Sequence, residues 1–462
     1  MTKMRKEQDA LGELEVPAEA YWGISTQRAI KNFKISGRPF PEDFIRALGK
    51  VKKACLLANL DLKELDSDLG AALRKAVDEI IKEDKFIDQF PIDYFQTGSG
   101  TQTNMNMNEV LANRANEILG HPLGKKQPVH PNDHVNRSQS SNDVIPTAMH
   151  VAALESLTKE MMPAVDHLVN ILGEKIKEFE GIVKVGRTHL QDAVPIPLSL
   201  ELDVYRTQMI GNYGELQSVR DELGVVPLGG TALGTGINTV KGFAEKAVSH
   251  LAKITKFPLQ THPVKAEGIA SHRVMVRLSS ALRQIALSAL KMANDLRWMG
   301  SGPRAGLGEV ILPQNEPGSS IMPGKVNPTQ AEALIQVCAQ VIGHDAAVSF
   351  AESHGSILDL NVTKPVMIVN LLDAMKILSN GLRSFVDNTL KELKVNESIL
   401  KAQLERSLMI VTRLTPQIGY DSAAEVAKRA FESGKTIKET ILELGIEVNG
   451  DLDDLLDPTK MV

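Results

Sequence analysis

The stretch that decides the fold class is residues 145–181, IPTAMHVAALESLTKEMMPAVDHLVNILGEKIKEFEG. Apolar side chains recur along it every three or four positions and form one stripe: Met149, Ala153, Leu157, Met161, Val165, Leu168, Leu172, Ile176 and Phe179. A stripe of this length predicts a helix far longer than the average globular helix of about 12 residues. Pro146 and Pro163 are expected to bend this helix or to mark joints in it.

Working outward, two further long helical patterns run through 271–299 and onward from residue 328. Aromatic residues are scarce at 4%, so aliphatic side chains must fill the core. Long helices packed by aliphatic residues predict a mainly α fold with a central helical bundle. Because these helices are apolar on several sides, we expect subunits to share the bundle. Shorter helices are predicted at 69–83 and within 97–120.

The helical patterns change twice along the chain, which predicts three domains. These are an N-terminal domain over 1–138, a central long-helix domain over 139–396 and a small C-terminal helical domain over 397–462. In the last domain, turns are expected near GYDSA (419–423) and EVNGDLDD (447–454).

Composition argues against several functional classes. The net charge is only −5, with 52 basic and 57 acidic residues interspersed, so no basic face suggests nucleic-acid binding. We identify no uninterrupted apolar segment of membrane-spanning length. Two cysteines, Cys55 and Cys338, suit a reducing compartment. The first residues turn acidic early and lack the apolar core of a signal peptide, so a cytoplasmic location is expected.

Four segments place small polar donors at predicted helix starts or beside glycines. The first is TGSGTQTNMN (97–106), where Ser99, Gly100 and Thr101 precede a helix and could bind an anion. A helix cap alone would also explain these residues. The second is HPNDHVNRSQSSND (130–143), whose Ser140, Ser141 and Asn142 precede the long helix and could equally form a cap.

Within the second segment, the spacing of His130 and His134 would suit a metal in a helix. Pro131, Asn132 and Asp133 predict a turn instead, and neither a cysteine nor an acidic ligand pair accompanies the histidines. The metal interpretation is therefore weak.

The third segment is VGRTHLQDAVP (185–195), in which Thr188 and His189 lie between an apparent helix end and a proline-containing turn. A lone histidine is more often structural than catalytic, so this segment decides nothing by itself.

The fourth segment is GSSIMPGKVNP (318–328). It resembles a phosphate loop, but five residues rather than four separate its glycines, and Val326 rather than Ser or Thr follows Lys325. It combines Ser319, Ser320 and one cation in a hinged loop. Asn327 is expected to cap the next helix, with Pro328 as its first residue.

Together, the four segments offer many neutral donors and a single lysine, which fits a small dianion held by hydrogen bonds. His189 and Glu332 could form a pair in which the carboxylate raises the basicity of the imidazole. These groups suit removal of a proton from a carbon next to a carboxylate, followed by expulsion of a group.

These segments also resemble a known family. GSSIMPGKVNP is similar to the characteristic loop of the fumarase/aspartase superfamily. GSGTQTNMNMNEVLANRAN, VHPNDHVNRSQSSNDVIPTAMH, GRTHLQDAVP, PLGGTALGTGIN and the opening DALGELEVPAEAYWGISTQRA resemble the corresponding stretches of class II fumarases. The resemblance covers nearly the whole chain.

The resemblance implies reversible hydration of fumarate to (S)-malate, a step of the tricarboxylic acid cycle, without a metal or an organic cofactor. It implies that Ser319 takes the C3 proton of malate, and that His189, paired with Glu332, acts through water on the hydroxyl side. The implied substrate-binding residues are Ser99, Gly100, Thr101, Ser140, Ser141, Asn142, Thr188, Ser320, Lys325, Val326 and Asn327.

The resemblance also implies a three-domain fold and a homotetramer with composite active sites. It further implies a second, non-catalytic dicarboxylate site at His130, Pro131, Asn132 and Asp133.

Two alternatives remain. Aspartate ammonia-lyases share most of these motifs, but they typically have Thr-Asn-Asp at Ser140-Ser141-Asn142, Gln at His189 and Pro-Ala-Lys at Pro323-Gly324-Lys325. A non-catalytic structural member of the superfamily would tolerate loss of Ser319, Lys325 or His189, and all three are present.

Overall fold

The structure is a computed structural model that describes residues 3–83 and 85–462. Its α-helices are α1 (Ile24–Asn32), α2 (Glu42–Asp61), α3 (Ser67–Lys82), α4 (Thr101–Ile118), α5 (Ser141–Ser156), α6 (Met162–Glu178), α7 (Leu198–Leu223), α8 (Phe243–Thr255), α9 (Glu267–Ala270), α10 (Arg273–Met299), α11 (Thr329–Gly355), α12 (Lys364–Phe385), α13 (Glu397–Arg406), α14 (Thr415–Ile418), α15 (Tyr420–Ser433), α16 (Ile437–Leu444) and α17 (Leu452–Leu455). The predicted mainly α fold is confirmed.

The strands form two-stranded sheets only, within the described ranges. They are β1 (Met4–Asp9), β2 (Gly12–Pro17), β3 (Val183–Thr188), β4 (Gln191–Pro197), β5 (Val225–Val226), β6 (Gln260–Thr261), β7 (Val310–Ile311), β8 (Ser356–Ile357), β9 (Leu360–Asn361) and β10 (Lys394–Val395). The β1–β2, β3–β4, β7–β10 and β8–β9 pairs are antiparallel, and the β5–β6 pair is parallel.

The long helix predicted from the apolar stripe is present. Helix α5 continues through a π-helical turn, Leu157–Met161, into α6. Leu157 and Met161 in this turn are fully buried, as the stripe requires. Pro146 lies inside α5 without ending it, whereas Pro163 follows the π-helical turn and marks the predicted joint.

The chain divides into two compact units. The first comprises Met1–Met162, Gly214–Gln284 and Gln340–Leu378, and the second comprises Pro163–Tyr213, Ile285–Ala339 and Ser379–Val462. In the first unit, α2 packs against α3, α5 and α8, and Phe44, Leu48 and Val51 on α2 are fully buried. Burial of one such side chain stabilises the fold by about 2 kcal/mol.

In the second unit, α13 packs against β3, and a 3₁₀ segment, Leu408–Leu414, packs against β4. This segment contributes Leu414 to a small hydrophobic core that also contains Val426 and Ile437. The β3–β4 hairpin was missed in the sequence analysis, which placed Thr188 after a helix end. Its alternating pattern, Ile182-Val183-Lys184-Val185, was the available signal for a strand.

One expected turn is shorter than the sequence suggested, and one helix has an unusually apolar composition. The turn expected at 419–423 is limited to Gly419, because α15 begins at Tyr420. Helix α11 is long and apolar enough to cross a membrane by length and composition alone, but Gln336, Gln340 and His344 interrupt its apolar residues. It qualifies because it contains no Lys or Arg and its acidic residues are widely spaced.

Candidate active site

The predicted site residues fall into two groups, one in each unit. The first group lies at the starts of α4 and α5 and contains Ser99, Gly100, Thr101 and the range 140–142. The second group lies on the β3–β4 hairpin, on the loop 318–327 and at the start of α11.

Hydroxyl groups at the starts of α4 and α5 form a continuous chain. Ser99 Oγ lies 2.7 Å from Thr101 Oγ1, which lies 3.0 Å from Ser141 Oγ. Ser99 is only 5% exposed. The predicted grouping of these three residues is therefore present in the structure. The positive ends of the two helix dipoles and the neighbouring hydroxyls suit an anion.

The two glycines of this loop have different roles. Gly100 is the residue before α4 and has a φ of +74°, a conformation that favours glycine. A Cβ at Gly98 would lie 1.3 Å from the carbonyl oxygen of Val362, and the Gly98 carbonyl accepts a hydrogen bond from Lys364 N–H at 3.1 Å. The absence of a side chain at Gly98 therefore lets this loop fit closely against the 362–364 segment.

Ser140 is the N-cap of α5, which is the alternative to anion binding that its sequence position allowed. It forms a capping box with Asp143: the Ser140 Oγ accepts from the helix backbone, and the Asp143 carboxylate accepts from Ser140 N–H at 2.9 Å. Asn142 Nδ2 donates to the Ala232 carbonyl at 2.9 Å. Two of the predicted ligand donors, Ser140 and Asn142, thus already have partners in the protein.

Asp143 was missed by the sequence analysis, although Ser140-x-x-Asp143 matches the capping-box pattern. Its other oxygen accepts from Gly229 N–H at 2.9 Å and from Thr231 N–H at 3.0 Å. Asp143 is fully buried, and this burial raises its pKa to about 6. It joins the helix start to the 229–231 loop and so fixes the position of Ser141.

Lys52 is a second missed residue. Its ammonium group donates to Asn136 Oδ1 and to Gln139 Oε1, both at 3.0 Å, just before the 140–142 group. Lys52 is 2% exposed, and burial lowers its pKa to about 7. A buried lysine gives no sequence signal, because it looks like any surface cation on α2.

The segment 131–135 is a π-helical turn preceded by His130. His130 Nδ1 accepts from the N–H groups of Asn132 and Asp133, each at 3.2 Å, and His134 Nδ1 accepts from His130 N–H at 2.8 Å. Each ring therefore uses one nitrogen to shape the turn. In the described residues, no group of three or more candidate ligands could hold a metal ion.

In the second unit, His189 and Leu190 form the two-residue turn of the β3–β4 hairpin. Their φ values are +56° and +60°, as a type I′ turn requires. Positive φ is uncommon for histidine, and such strain is often found at functional sites. The turn exposes both side chains and leaves Thr188 as the last residue of β3.

Buried charges anchor this hairpin. Glu309 is fully buried, accepts from Arg187 at 2.5 Å and lies 3.2 Å from Lys184 Nζ. Lys184 also donates to Glu201 at 3.0 Å. Because Arg187 precedes Thr188, the Glu309 pair holds the strand that presents Thr188 and His189. No local sequence pattern marks this cluster, since 122 residues separate Arg187 from Glu309.

The loop 318–327 is closed at its base. Gly318 N–H donates to the Lys325 carbonyl at 2.9 Å, and Asn327 Nδ2 donates to the Gly318 carbonyl at 2.6 Å. A Cβ at Gly318 would lie 2.5 Å from the Lys325 oxygen, so the base requires glycine. Above it, Ser319 Oγ accepts from the N–H groups of Ile321 at 3.2 Å and Met322 at 3.0 Å.

The end of this loop and the start of α11 differ from expectation. Asn327 does not cap α11, because its side chain closes the loop instead. The helix begins at Thr329, and Pro328 provides the carbonyl that accepts from Glu332 N–H at 3.1 Å. Glu332, Ser320, Lys325 and Val326 are exposed. Neither a hydrogen bond nor an ion pair joins the described side chains of His189 and Glu332, so their pairing stays a prediction.

The chain is similar to known proteins over its whole length. Residues 12–343 match the lyase family, and residues 410–462 match the fumarase C C-terminus family. The chain is 49% identical to the mitochondrial fumarate hydratase of Rhizopus oryzae, covering 100% of this chain and 93% of that protein. It is also 49% identical to the class II fumarate hydratase of Thermosynechococcus vestitus, covering 96% of this chain and 95% of that one.

The fold is likewise shared with a solved structure. The class II fumarase of Schistosoma mansoni superposes with a TM-score of 0.96 at 37% identity, over 99% of both chains. With full-length relatives and both family matches in agreement, the chain belongs to the class II fumarase family.

Proposed function

We propose that this protein catalyses the reversible hydration of fumarate to (S)-malate. The observation that carries the proposal is the hydroxyl chain Ser99–Thr101–Ser141 at two helix starts, which suits a small carboxylate dianion. Relatives of nearly the same length are named fumarate hydratases. Fumarate is a four-carbon dicarboxylate. Neutral donors and a single lysine, as in the four segments, suit such a small dianion.

Ser319 is the proposed base for the C3 proton of malate. The two N–H groups that donate to its oxygen would stabilise negative charge on that atom. Lys325 and Asn327 are proposed to hold the carboxylate on which charge accumulates as an aci-carboxylate. Since Asn327 donates to the Gly318 carbonyl, its amide would have to change partner when substrate binds.

His189 is proposed to act on the hydroxyl side through a water molecule, with Glu332 as its partner. The exposed type I′ turn makes the imidazole available to a ligand. Ser99, Gly100, Thr101, Ser140, Ser141, Asn142, Thr188, Ser320 and Val326 complete the proposed substrate contacts. Because Ser140 caps α5 and Asn142 donates to a main-chain carbonyl, we assign both to shaping the site. We assign direct binding first to Thr101 and Ser141, whose side chains bond only to other hydroxyls among the described residues and can rotate toward a ligand. No metal or organic cofactor is part of this proposal.

We also propose a homotetramer with composite active sites. Large apolar side chains are exposed on the long helices: Leu200, Val204 and Ile210 on α7, Leu287 on α10 and Phe350 on α11. Only 28% of the apolar window of α11 is buried in the single chain. Several large apolar side chains exposed on long helices commonly mark subunit interfaces. Analytical ultracentrifugation tests this assembly.

Three further assignments complete the proposal. We propose that the divisions expected from the sequence, 1–138, 139–396 and 397–462, are the domains of the chain. The turn at His130, Pro131, Asn132 and Asp133 is a second dicarboxylate site. The location is the cytoplasm, a reducing compartment that suits the two free, buried cysteines. Since relatives from Rhizopus oryzae and Saccharomyces cerevisiae are named mitochondrial, cell fractionation must decide between the two compartments.

The activity is tested with purified, chelator-treated protein. It is incubated separately with (S)-malate and with L-aspartate, and the ultraviolet absorbance of fumarate is followed. We expect fumarate from malate alone. Fumarate from aspartate alone would identify an ammonia-lyase, and no fumarate from either substrate would favour a structural role.

A further inference from the structure

A cavity of 560 Å³ lies in the second unit, beside the strand that leads to His189. The β3–β4 hairpin, the 303–307 loop and α13 line it. Its charged lining residues are Arg187, Arg304, Arg406 and Asp192. Thr188, His189 and the loop 318–327 are not among its lining residues. The cavity is therefore separate from the residues assigned above to fumarate.

Positive charge dominates the lining, with three guanidinium groups against one carboxylate. Arg187 is engaged with Glu309 and lies 3.9 Å from Asp192. Arg304 and Arg406 are exposed and form neither a hydrogen bond nor an ion pair with any described residue. Two guanidinium groups are thus free to bind an anion in the same cavity.

The 303–307 loop, which lines the cavity, uses only some of its main-chain N–H groups within the protein. Leu307 N–H donates to Ser301 Oγ at 3.0 Å, and Gly308 N–H donates to the Ser301 carbonyl at 2.9 Å. In the described chain, the N–H groups of residues 304–306 donate to no protein acceptor. Unpaired main-chain N–H groups next to arginines are a common arrangement for binding phosphate oxygens.

We propose that this cavity binds a small molecule carrying several phosphate groups. Arg304 and Arg406 would each take phosphate oxygens in a bidentate manner, for which guanidinium is better shaped than ammonium. The volume is within the range of about 300–1,000 Å³ typical of small-molecule sites, and it exceeds what a single phosphate needs. The remaining space suits further phosphates or an attached organic group.

A ligand bound in this cavity would also affect the β3–β4 hairpin. Arg187 lines the cavity, holds Glu309 and immediately precedes Thr188. A phosphate that attracts Arg187 competes with Glu309 and thereby shifts the strand end that presents His189. This regulatory consequence rests on the proposed hydratase function, whereas the binding itself does not.

The test measures binding by isothermal titration of the full chain with sodium tripolyphosphate at low ionic strength. Arg304→Gln and Arg406→Gln each remove one free guanidinium. Arg74→Gln is the matched control, because Arg74 is exposed on α3, forms no hydrogen bond or ion pair with the described residues and does not line the cavity. We expect saturable binding that each cavity variant weakens about tenfold and the control leaves unchanged.

Three outcomes would overturn the proposal. They are the absence of saturable binding, equal weakening by Arg74→Gln, and unchanged affinity in both cavity variants. Equal affinity for citrate would overturn the phosphate assignment. Because no outcome depends on turnover, failure of this proposal is distinguishable from failure of the hydratase assignment.

Discussion

Replacing Thr101 by valine tests the hydroxyl chain at the two helix starts. Valine keeps nearly the same shape but removes the bridge between Ser99 Oγ at 2.7 Å and Ser141 Oγ at 3.0 Å. Two neutral hydrogen bonds contribute about 2 kcal/mol together, and the buried Ser99 hydroxyl loses its partner. We therefore expect a loss of about 2 kcal/mol in the free energy of unfolding.

The same substitution should impair catalysis more than stability. A donor that meets the charged carboxylate is worth about 3 kcal/mol in the transition state, so kcat/KM for malate should fall about 100-fold. The assay is initial-rate kinetics followed through fumarate absorbance, with urea unfolding in parallel.

Thr103→Val is the matched control for this experiment. Thr103 lies on the same helix, is 3% exposed and donates to Gln96 Oε1 at 2.9 Å. The control should lose comparable stability and keep kcat/KM within about threefold. The reasoning is refuted if Thr101→Val retains wild-type kcat/KM, or if Thr103→Val loses as much activity as Thr101→Val does.

Three further predictions follow from single positions. His189→Asn should lower malate turnover by at least about 100-fold without lowering the melting temperature, because asparagine tolerates the positive φ of this turn; retained turnover would contradict the role of the imidazole. Gly98→Ala should destabilise the protein by more than about 3 kcal/mol, measured by urea unfolding, because its Cβ would overlap the Val362 oxygen; a neutral effect would mean that the 362–364 segment moves away. Finally, the pKa of Asp143 is about 6 in the folded protein, against 3.8 for an unperturbed aspartate. The folded state therefore binds more protons between these pH values, and stability from this group is lost as pH rises from about 4 to about 6. Melting temperatures across this range should show that fall, and Asp143→Asn should reduce it; an equal fall in the variant would assign the effect to other groups.

Local periodicity was enough to predict several of the longer helices, because a helical pattern depends on residues three or four positions apart. The pattern at 69–83 became α3 and that at 271–299 became α10. The hairpin at 183–197 was missed because it is short and follows directly on a strong helical stripe. Its turn residues, His189 and Leu190, also lack the Asn-Gly or Gly-Gly composition that normally announces a type I′ turn.

The candidate site was predictable as a set of residue types but not as a set of contacts. Ser99, Thr101 and Ser141 were named from the sequence, and the structure adds the order in which their hydroxyls meet. The supports behind them depend on tertiary structure. Asp143 reaches Gly229 and Thr231 across 86 and 88 residues, and no local pattern encodes such a pairing.

The loop 318–327 is built so that closure over a substrate would be favourable. Its base is fixed by the Gly318–Lys325 and Asn327–Gly318 hydrogen bonds, whereas its tip exposes Ile321 at 84% and Met322 at 48%. Exposed apolar side chains at a loop tip gain free energy when they are covered, at about 25 cal/mol for each Å² buried. Covering the tip would also exclude water from Ser319, whose oxygen already accepts the N–H groups of these two residues. The apolar tip residues therefore link closure of the loop to positioning of the proposed base. Replacing Ile321 by serine should accordingly raise KM for malate while leaving the fold intact, and an unchanged KM would show that closure does not bury this side chain.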